Sequence, residues 1–208
     1  MKRILFIFAA FSGLMISSCS PLGMAAGAGA TVGIAAAREG GISSATNDVR
    51  IKALISEKWF KYDLETFSKL NLTVDQGRVL ITGVVQDPED RVEAVRLAWQ
   101  VDGVSQIINE ARVADSEGVQ GYVRDAWITT RLRTALTFDR DVQSINYSID
   151  TVQGIVYLMG IAQSRAELDR VIEVARTIPH VKQVISYVKQ IGESANSGQQ
   201  QGTPWLQP

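Results

Sequence analysis

Leu72-Thr-Val-Asp75, the pair Gln76-Gly77 and Arg78-Val-Leu-Ile-Thr-Gly83 make an alternating apolar run folded about a glycine, the pattern of a β-hairpin. The run returns 77 positions later, with Gly154 for Gly77, Val156 for Val79 and Gly160 for Gly83. The match extends outward: Asp48 meets Asp125, Ile51 meets Ile128, Ala98 meets Ala175 and Val104 meets Val181. Apolar residues and glycines repeat, while the polar residues that could carry chemistry differ between the copies. A duplicated catalytic apparatus would keep its polar residues, so the repeat reads as a scaffold used twice. Each copy, 48–113 and 125–190, is near the lower limit for a domain with a core of its own. Two small domains that lean on each other are expected.

Periodicity places the elements. Ile51, Ile55 and Trp59 recur at i, i+4 and i+8, as do Ile128, Leu132 and Leu136. Both sets predict an opening amphipathic helix, with Asp48 and Asp125 just ahead as N-caps. The hairpin follows; in the second copy Tyr147-Ser-Ile-Asp150 is its first strand, with two residues added in the turn before Gly154. Asp87-Pro88 and the capping box Ser164-Arg-Ala-Glu167 start a second helix. Its apolar face runs through Ala94, Val95, Ala98 and Val101, matched by Val171, Ile172, Ala175 and Ile178. A turn at Asp102-Gly103, or Pro179-His180, leads to a last strand over Val104–Val113 or Val181–Val188. Gly77 and Gly154 are expected to form turns. Gly83 and Gly160 are expected to end strands where a side chain would meet the following helix or demand an unfavourable backbone angle. The fold class is therefore α+β: two tandem α-β-β-α-β units, each a three-stranded mixed sheet covered by two helices.

A Gly-x-Val strand that closes with Gly83-Val84, a helix with Arg91-x-x-Ala94 and Ala98, and Val101-x-Gly103-Val104 with Ile107 and Asn109 together resemble the BON domain, a module of bacterial envelope proteins. The second copy departs at His180 in place of Gly103 and Ser186 in place of Asn109. Asp125-Ala-Trp-Ile-Thr-Thr-Arg131 resembles the second-domain helix of a dual-domain outer-membrane lipoprotein of that family. The resemblance implies a non-enzymatic envelope protein whose second BON domain binds anionic phospholipid.

The chain opens with Lys2, Arg3, an apolar stretch over 4–16 and Ile16-Ser-Ser-Cys19. An apolar stretch well short of the ~20 residues that span a bilayer as a helix reads as a signal and not an anchor. Residues 1–18 are thus expected to be a lipoprotein signal peptide, with Cys19, the sole cysteine, carrying the acyl chains, palmitate among them. Ser20 follows the cysteine where an aspartate would, by resemblance to enterobacterial lipoproteins, favour retention in the inner membrane, so delivery to the outer membrane, lipid-anchored on its periplasmic face, is expected. Loss of Lys2 and Arg3 from 21 basic and 22 acidic residues leaves 19 against 22. That balance argues against bulk electrostatic attraction to nucleic acid or to an anionic membrane, so any membrane contact beyond the lipid is expected to be local. The remaining organisation reads as a Gly/Ala-rich tether at 19–46, a first domain at 47–115, a linker at 116–123, a second domain at 124–191 and a disordered tail at 192–208.

Enzymatic readings find little support. His180 sits in a turn, Asp87, Glu89 and Asp90 suit a helix N-terminus, and nothing completes a metal site around Asp139 and Asp141. No catalytic residue, metal, cofactor or small-molecule substrate is expected. Trp127 stands apart, because on a helical wheel it lies about 125° from the core face through Ile128, Leu132 and Leu136. Arg131 and Thr134 share its flank, with Thr130 and Arg133 as further candidates. The counterparts of Trp127 and Arg131 are Arg50 and Leu54, so this flank belongs to the second copy alone. An indole beside a guanidinium suits a membrane interface, the ring at headgroup depth and the guanidinium at a lipid phosphate; the resemblance implies that the lipid is anionic, phosphatidylglycerol or cardiolipin. The competing use of Trp127 is packing against the first domain. Two functions follow: a phospholipid-binding lipoprotein that supports envelope integrity, or a lipid-tethered adaptor that recruits other envelope proteins.

Overall fold

Two α-β-β-α-β units follow one another in the structure, a computed structural model that describes residues 41–191. The leader, Cys19, most of the tether and the tail with Trp205 lie outside the described residues. In the first unit come α1 (Gly41–Tyr62), the one-turn α2 (Leu64–Phe67), β1 (Leu70–Asp75), β2 (Arg78–Val85), α3 (Pro88–Trp99), β3 (Gln106–Asn109) and β4 (Arg112–Val113). In the second come α4 (Gly118–Phe138), a 3-10 turn (Ser144–Asn146), β5 (Tyr147–Val152), β6 (Ile155–Ala162), α5 (Arg165–Thr177) and β7 (Gln183–Gln190). β1 runs antiparallel to β2 and β5 to β6, whereas β3, β4 and β7 run parallel to the central strands. Each unit is thus a mixed sheet with helices on one face.

The core face of α1 is Ile51, Ile55 and Trp59, buried against Val79, Ile81 and Val85. Ile128, Leu132 and Leu136 of α4 pack in the same way on Val156, Leu158 and Ala162. The Trp59 indole N–H donates to the Ala94 carbonyl at 3.1 Å, which ties α1 to α3.

Asp48 and Asp125 are not N-caps. Both helices begin seven residues earlier, at Gly41 and Gly118, so α1 enters the expected tether and α4 takes over most of the expected linker. The two aspartates sit inside the helices and hold the hairpin turns. Asp48 accepts from the backbone N–H groups of Gln76 and Gly77 at 2.8 and 2.9 Å, and Asp125 from those of Gln153 and Gly154 at 2.6 and 2.9 Å. The second turn carries no insertion: Tyr147 takes the place of Leu70, and both hairpins close through a two-residue Gln-Gly turn with positive φ at each position. A carboxylate across each turn satisfies N–H groups that such tight loops leave unpaired.

Gly83 and Gly160 lie within their strands, at φ +120° and +140°, and not at their ends. A Cβ there would overlap the carbonyl oxygen of Lys69 or of Asn146, backbone at the start of the neighbouring strand and not the following helix. The last strand of the first unit is interrupted between Asn109 and Arg112, while β7 runs on to Gln190. Ser164 caps α5 as expected, but the Glu167 carboxylate turns to the backbone N–H groups of Gln143 and Gln163, at 2.7 and 2.6 Å, instead of closing the box. His180 holds φ +69° where Gly103 holds +98°, so the second turn keeps the geometry without the glycine.

β2 and β6 are apolar at nearly every position because both their faces are covered. One face meets the helices. The other meets the second sheet, so the molecule stacks as helix, sheet, sheet, helix around a middle layer of Leu80, Val152, Tyr157 and Met159. Polar contacts pin this layer. Arg78, paired with Asp75 at 2.8 Å, donates across to the Tyr187 and Gly160 carbonyls at 2.8 and 3.4 Å. Asp150 accepts from the Thr82 hydroxyl and the Asn71 amide, and the Tyr187 hydroxyl donates to Glu110. The positions of Tyr187 and Glu110 correspond in the two copies, as expected of halves stacked about an approximate two-fold axis.

Candidate functional site

α4 buries one stripe and shows the other. With Ile128, Leu132 and Leu136 in the core, 100° per residue puts Val119, Val123, Trp127, Arg131, Thr134 and Phe138 on the outward side, and all six are exposed. Val119 is 79% exposed, Val123 59% and Phe138 82%. At 1.5 Å per residue the row from Val123 to Phe138 is about 22 Å long. Apolar side chains therefore stand near both ends of one exposed face, with a cation between them.

Trp127 keeps 42% of its surface exposed, and its ring meets His180 edge-on at 6.0 Å between centroids. His180 belongs to the same domain, and the two domains meet through their sheets. The indole is thus braced from one side by its own turn. Thr130 and Thr134 donate their hydroxyls to the carbonyls of Ala126 and Thr130, at 2.8 and 2.9 Å. Their protons are engaged in the helix, so toward a ligand they offer methyl groups and acceptor lone pairs, not donors.

The cations of α4 divide by position. Arg124 is held by Glu117 and Asp125, and its contact keeps the Glu117 carboxyl below the usual carboxylate range. Arg131 and Arg133 have no ion pair among the described residues. Arg131 lies on the outward stripe beside Trp127. Arg133 does not: it lines a groove between the domains with Lys52, about 100° around the helix from Thr134. The structure therefore gathers Trp127, Arg131, Thr130 and Thr134 on one face and sends Arg133 to another.

The positions that match this stripe in the first domain hold Ile42, Thr46, Arg50, Leu54, Glu57 and Lys61. Arg50 donates to the Asp102 carbonyl at 3.1 Å, and Lys61 pairs with Glu57. Val119, Val123 and Phe138 were missed from sequence. The first two fell in the expected linker, and continuing the wheel two residues past Leu136 would have found Phe138. Trp59 is core as expected, and Trp99 lies exposed on α3. Among the described residues no helix is long and apolar enough to cross a membrane, and no group of three His, Cys, Asp or Glu side chains could hold a metal ion.

A helix, a hairpin, a second helix and a parallel strand, repeated with the same glycine-bearing central strand, define a tandem α+β module protein. Residues 47–115 and 124–192 each match the BON domain, and the chain belongs to that family. Among similar proteins, the "Uncharacterized protein in gshII 5'region" of Anaplasma centrale is 40% identical over 144 residues, 69% of this chain and 94% of that one. The Osmotically-inducible protein Y of Escherichia coli is 28% identical over 145 residues, 69% of this chain and 72% of that one. The Outer membrane lipoprotein DolP of Haemophilus influenzae is 30% identical over 122 residues, covering 58% and 62%.

Proposed function

We propose that this dual-BON protein is a non-enzymatic outer-membrane lipoprotein on the periplasmic face, and that its second domain binds anionic phospholipid through the outward stripe of α4. The observation that carries the reading is that stripe: Val123, Trp127 and Phe138 exposed, with Arg131 among them free of an ion pair among the described residues. The apolar side chains and the indole suit headgroup depth, and the guanidinium suits a lipid phosphate. Each cation near an anionic surface contributes about 1 kcal/mol, so affinity must come mainly from insertion. The acyl chains at Cys19 form the first anchor and α4 the second. The acyl chains hold the protein at the membrane, and the α4 contact makes the attachment selective for the headgroup it meets. The similarity to an outer-membrane lipoprotein supports the location.

Flotation of the unlipidated chain with phosphatidylglycerol or cardiolipin vesicles tests the reading. Trp127→Glu should lower vesicle affinity by about tenfold or more, since it removes an inserted ring and adds a repelled carboxylate beside Arg131. Arg50→Glu, the matching flank of the first domain, should leave affinity nearly unchanged. Equal losses from both, or unaltered binding by Trp127→Glu, would contradict it.

A further inference from the structure

β1 pairs with β2 along one edge and with no other strand among the described residues. Its sequence, Leu70-Asn-Leu-Thr-Val-Asp75, holds no proline, no lysine and no bulge, the features that usually blunt an open edge. α1 overhangs this edge with Lys52, Ser56 and Phe60, one row at i, i+4 and i+8. Between row and strand lies a groove of about 380 Å³ whose apolar lining includes Trp59, Phe60, Leu64 and Leu72. Phe60, 63% exposed, forms part of the groove wall. Lys52 also lines the next groove, of about 710 Å³, which continues past Thr73 and Val74 to Arg133 and Ser148 of the second domain. The two grooves together follow β1 along most of its length.

We infer that this trough is a docking site for an extended segment of another polypeptide, which adds to the sheet at the β1 edge. Backbone groups on that edge select a polypeptide in extended form, and the helix-walled groove beside it takes alternate side chains, the arrangement of β-strand addition. Charge selects the sequence. Asp48 commits both carboxylate oxygens to the Gln76-Gly77 turn. Lys52 and Arg133 are left without an ion pair among the described residues. The occupant is therefore a segment about as long as β1, with apolar residues at alternate positions toward Trp59, Phe60 and Leu64 and an acidic residue between Lys52 and Arg133. The matching groove of the second domain forms the far half of this trough, and it lacks the aromatic wall, because Thr137 stands where Phe60 does and Asp141 where Leu64 does. This inference goes beyond the lipid reading and is independent of it, since the trough and the lipid stripe use different sides of α4.

The test is selection of random twelve-residue display peptides on the full-length chain in detergent, followed by synthesis of the strongest binder. Selected sequences should alternate apolar residues and carry Asp or Glu. The peptide should slow hydrogen exchange in the 70–74 amides, and N-methylation at alternate peptide nitrogens should weaken it by about tenfold or more, because the backbone donors are lost. Phe60→Ser should weaken it by about fivefold through lost ring contact, and Lys52→Glu should reverse the preference for acidic peptides. Both sites are exposed, so the fold is kept. No selected binder, full binding by N-methylated peptide, or binding indifferent to both substitutions would overturn the inference. So would protection of 70–74 in the peptide-free chain that vanishes when 192–208 are deleted, which assigns the trough to the chain's own tail. A concentration-dependent dimer lost in Phe60→Ser would overturn it in favour of a second copy.

Discussion

α1 and α4 occupy equivalent places, bury equivalent residues and hold equivalent turns, yet where α1 carries Thr46, Arg50 and Lys61, α4 carries Val123, Trp127 and Phe138. Asp48 and Asp125 are the same device used twice, and so are Gly83 and Gly160. Arg50 and Trp127 occupy one position and share nothing else. The difference teaches which side chains the backbone dictates. Where a turn needs acceptors or a strand passes too close for a Cβ, the copies agree; where the helix faces outward, they have been free to part. The inter-sheet layer shows a third pattern. Arg78 stands opposite the second sheet and its counterpart is Ile155, while Asp150 stands opposite the first and its counterpart is Thr73. Each half thus brings a charged group that the other lacks, and the stacked pair differs from two copies placed side by side.

The comparison breaks first at the shared positions. Gly160→Ala should cost more than about 3 kcal/mol, since it combines a steric overlap with a φ that L-residues seldom adopt. Gly83→Ala should cost a similar amount but leave the second domain folded. In Gly160→Ala the loss should spread to the interface, because Arg78 donates to the Gly160 carbonyl. Urea unfolding followed by domain-specific amide signals separates the two. Arg78→Met should cost about 3 kcal/mol, because it leaves Asp75 half-buried and unpaired. It should also loosen the two halves in solution scattering, whereas Ile155→Met, its counterpart, should change little. A compact, fully stable Arg78→Met would show that the apolar layer alone holds the sheets.

Asp150 sharpens the comparison more gently. Burial raises its carboxyl above the usual range, opposed by hydrogen bonds from Thr82 and Asn71, with Asp125 adding repulsion. A raised folded-state pKa means that folding favours the protonated form. Its contribution is full in acid, below the unfolded value of about 3.9, and is lost as pH rises through the folded-state value. Asp150→Asn should therefore be more stable than the wild type near pH 7 and differ little from it near pH 4. Urea midpoints at the two pH values check this. An asparagine variant that is weaker near pH 7 would show the interface needs the carboxylate.

Much of the fold was legible because it rests on two periods, 3.6 in the helices and 2 in the hairpins, and on glycines that only a turn or a close approach explains. The stacking of the sheets was legible in principle. Leu80, Tyr157 and Met159 interleave with Val79, Ile81, Val156 and Leu158, which makes both central strands apolar on two faces where two helices can cover one. The role of Asp48 and Asp125 was hidden, because an aspartate ahead of an apolar period looks like a cap until the helix is seen to extend past it. Trp127 and Arg131 stood out against their first-domain counterparts. The rest of their row did not, since Val119 and Val123 fell in a supposed linker; the wheel sets Arg133 on the far side from Arg131, and only the groove between the domains that it lines lies beyond a wheel of one helix.

Paramagnetic broadening of amide signals by a spin-labelled phosphatidylglycerol, in nanodiscs carrying the chain, tests the central claim most directly. The account predicts broadening along α4 at Val119, Val123, Trp127, Arg131 and Phe138, and little at Arg50, Leu54 and Lys61 of α1. Broadening centred on α1, or spread evenly over both helices, would contradict it.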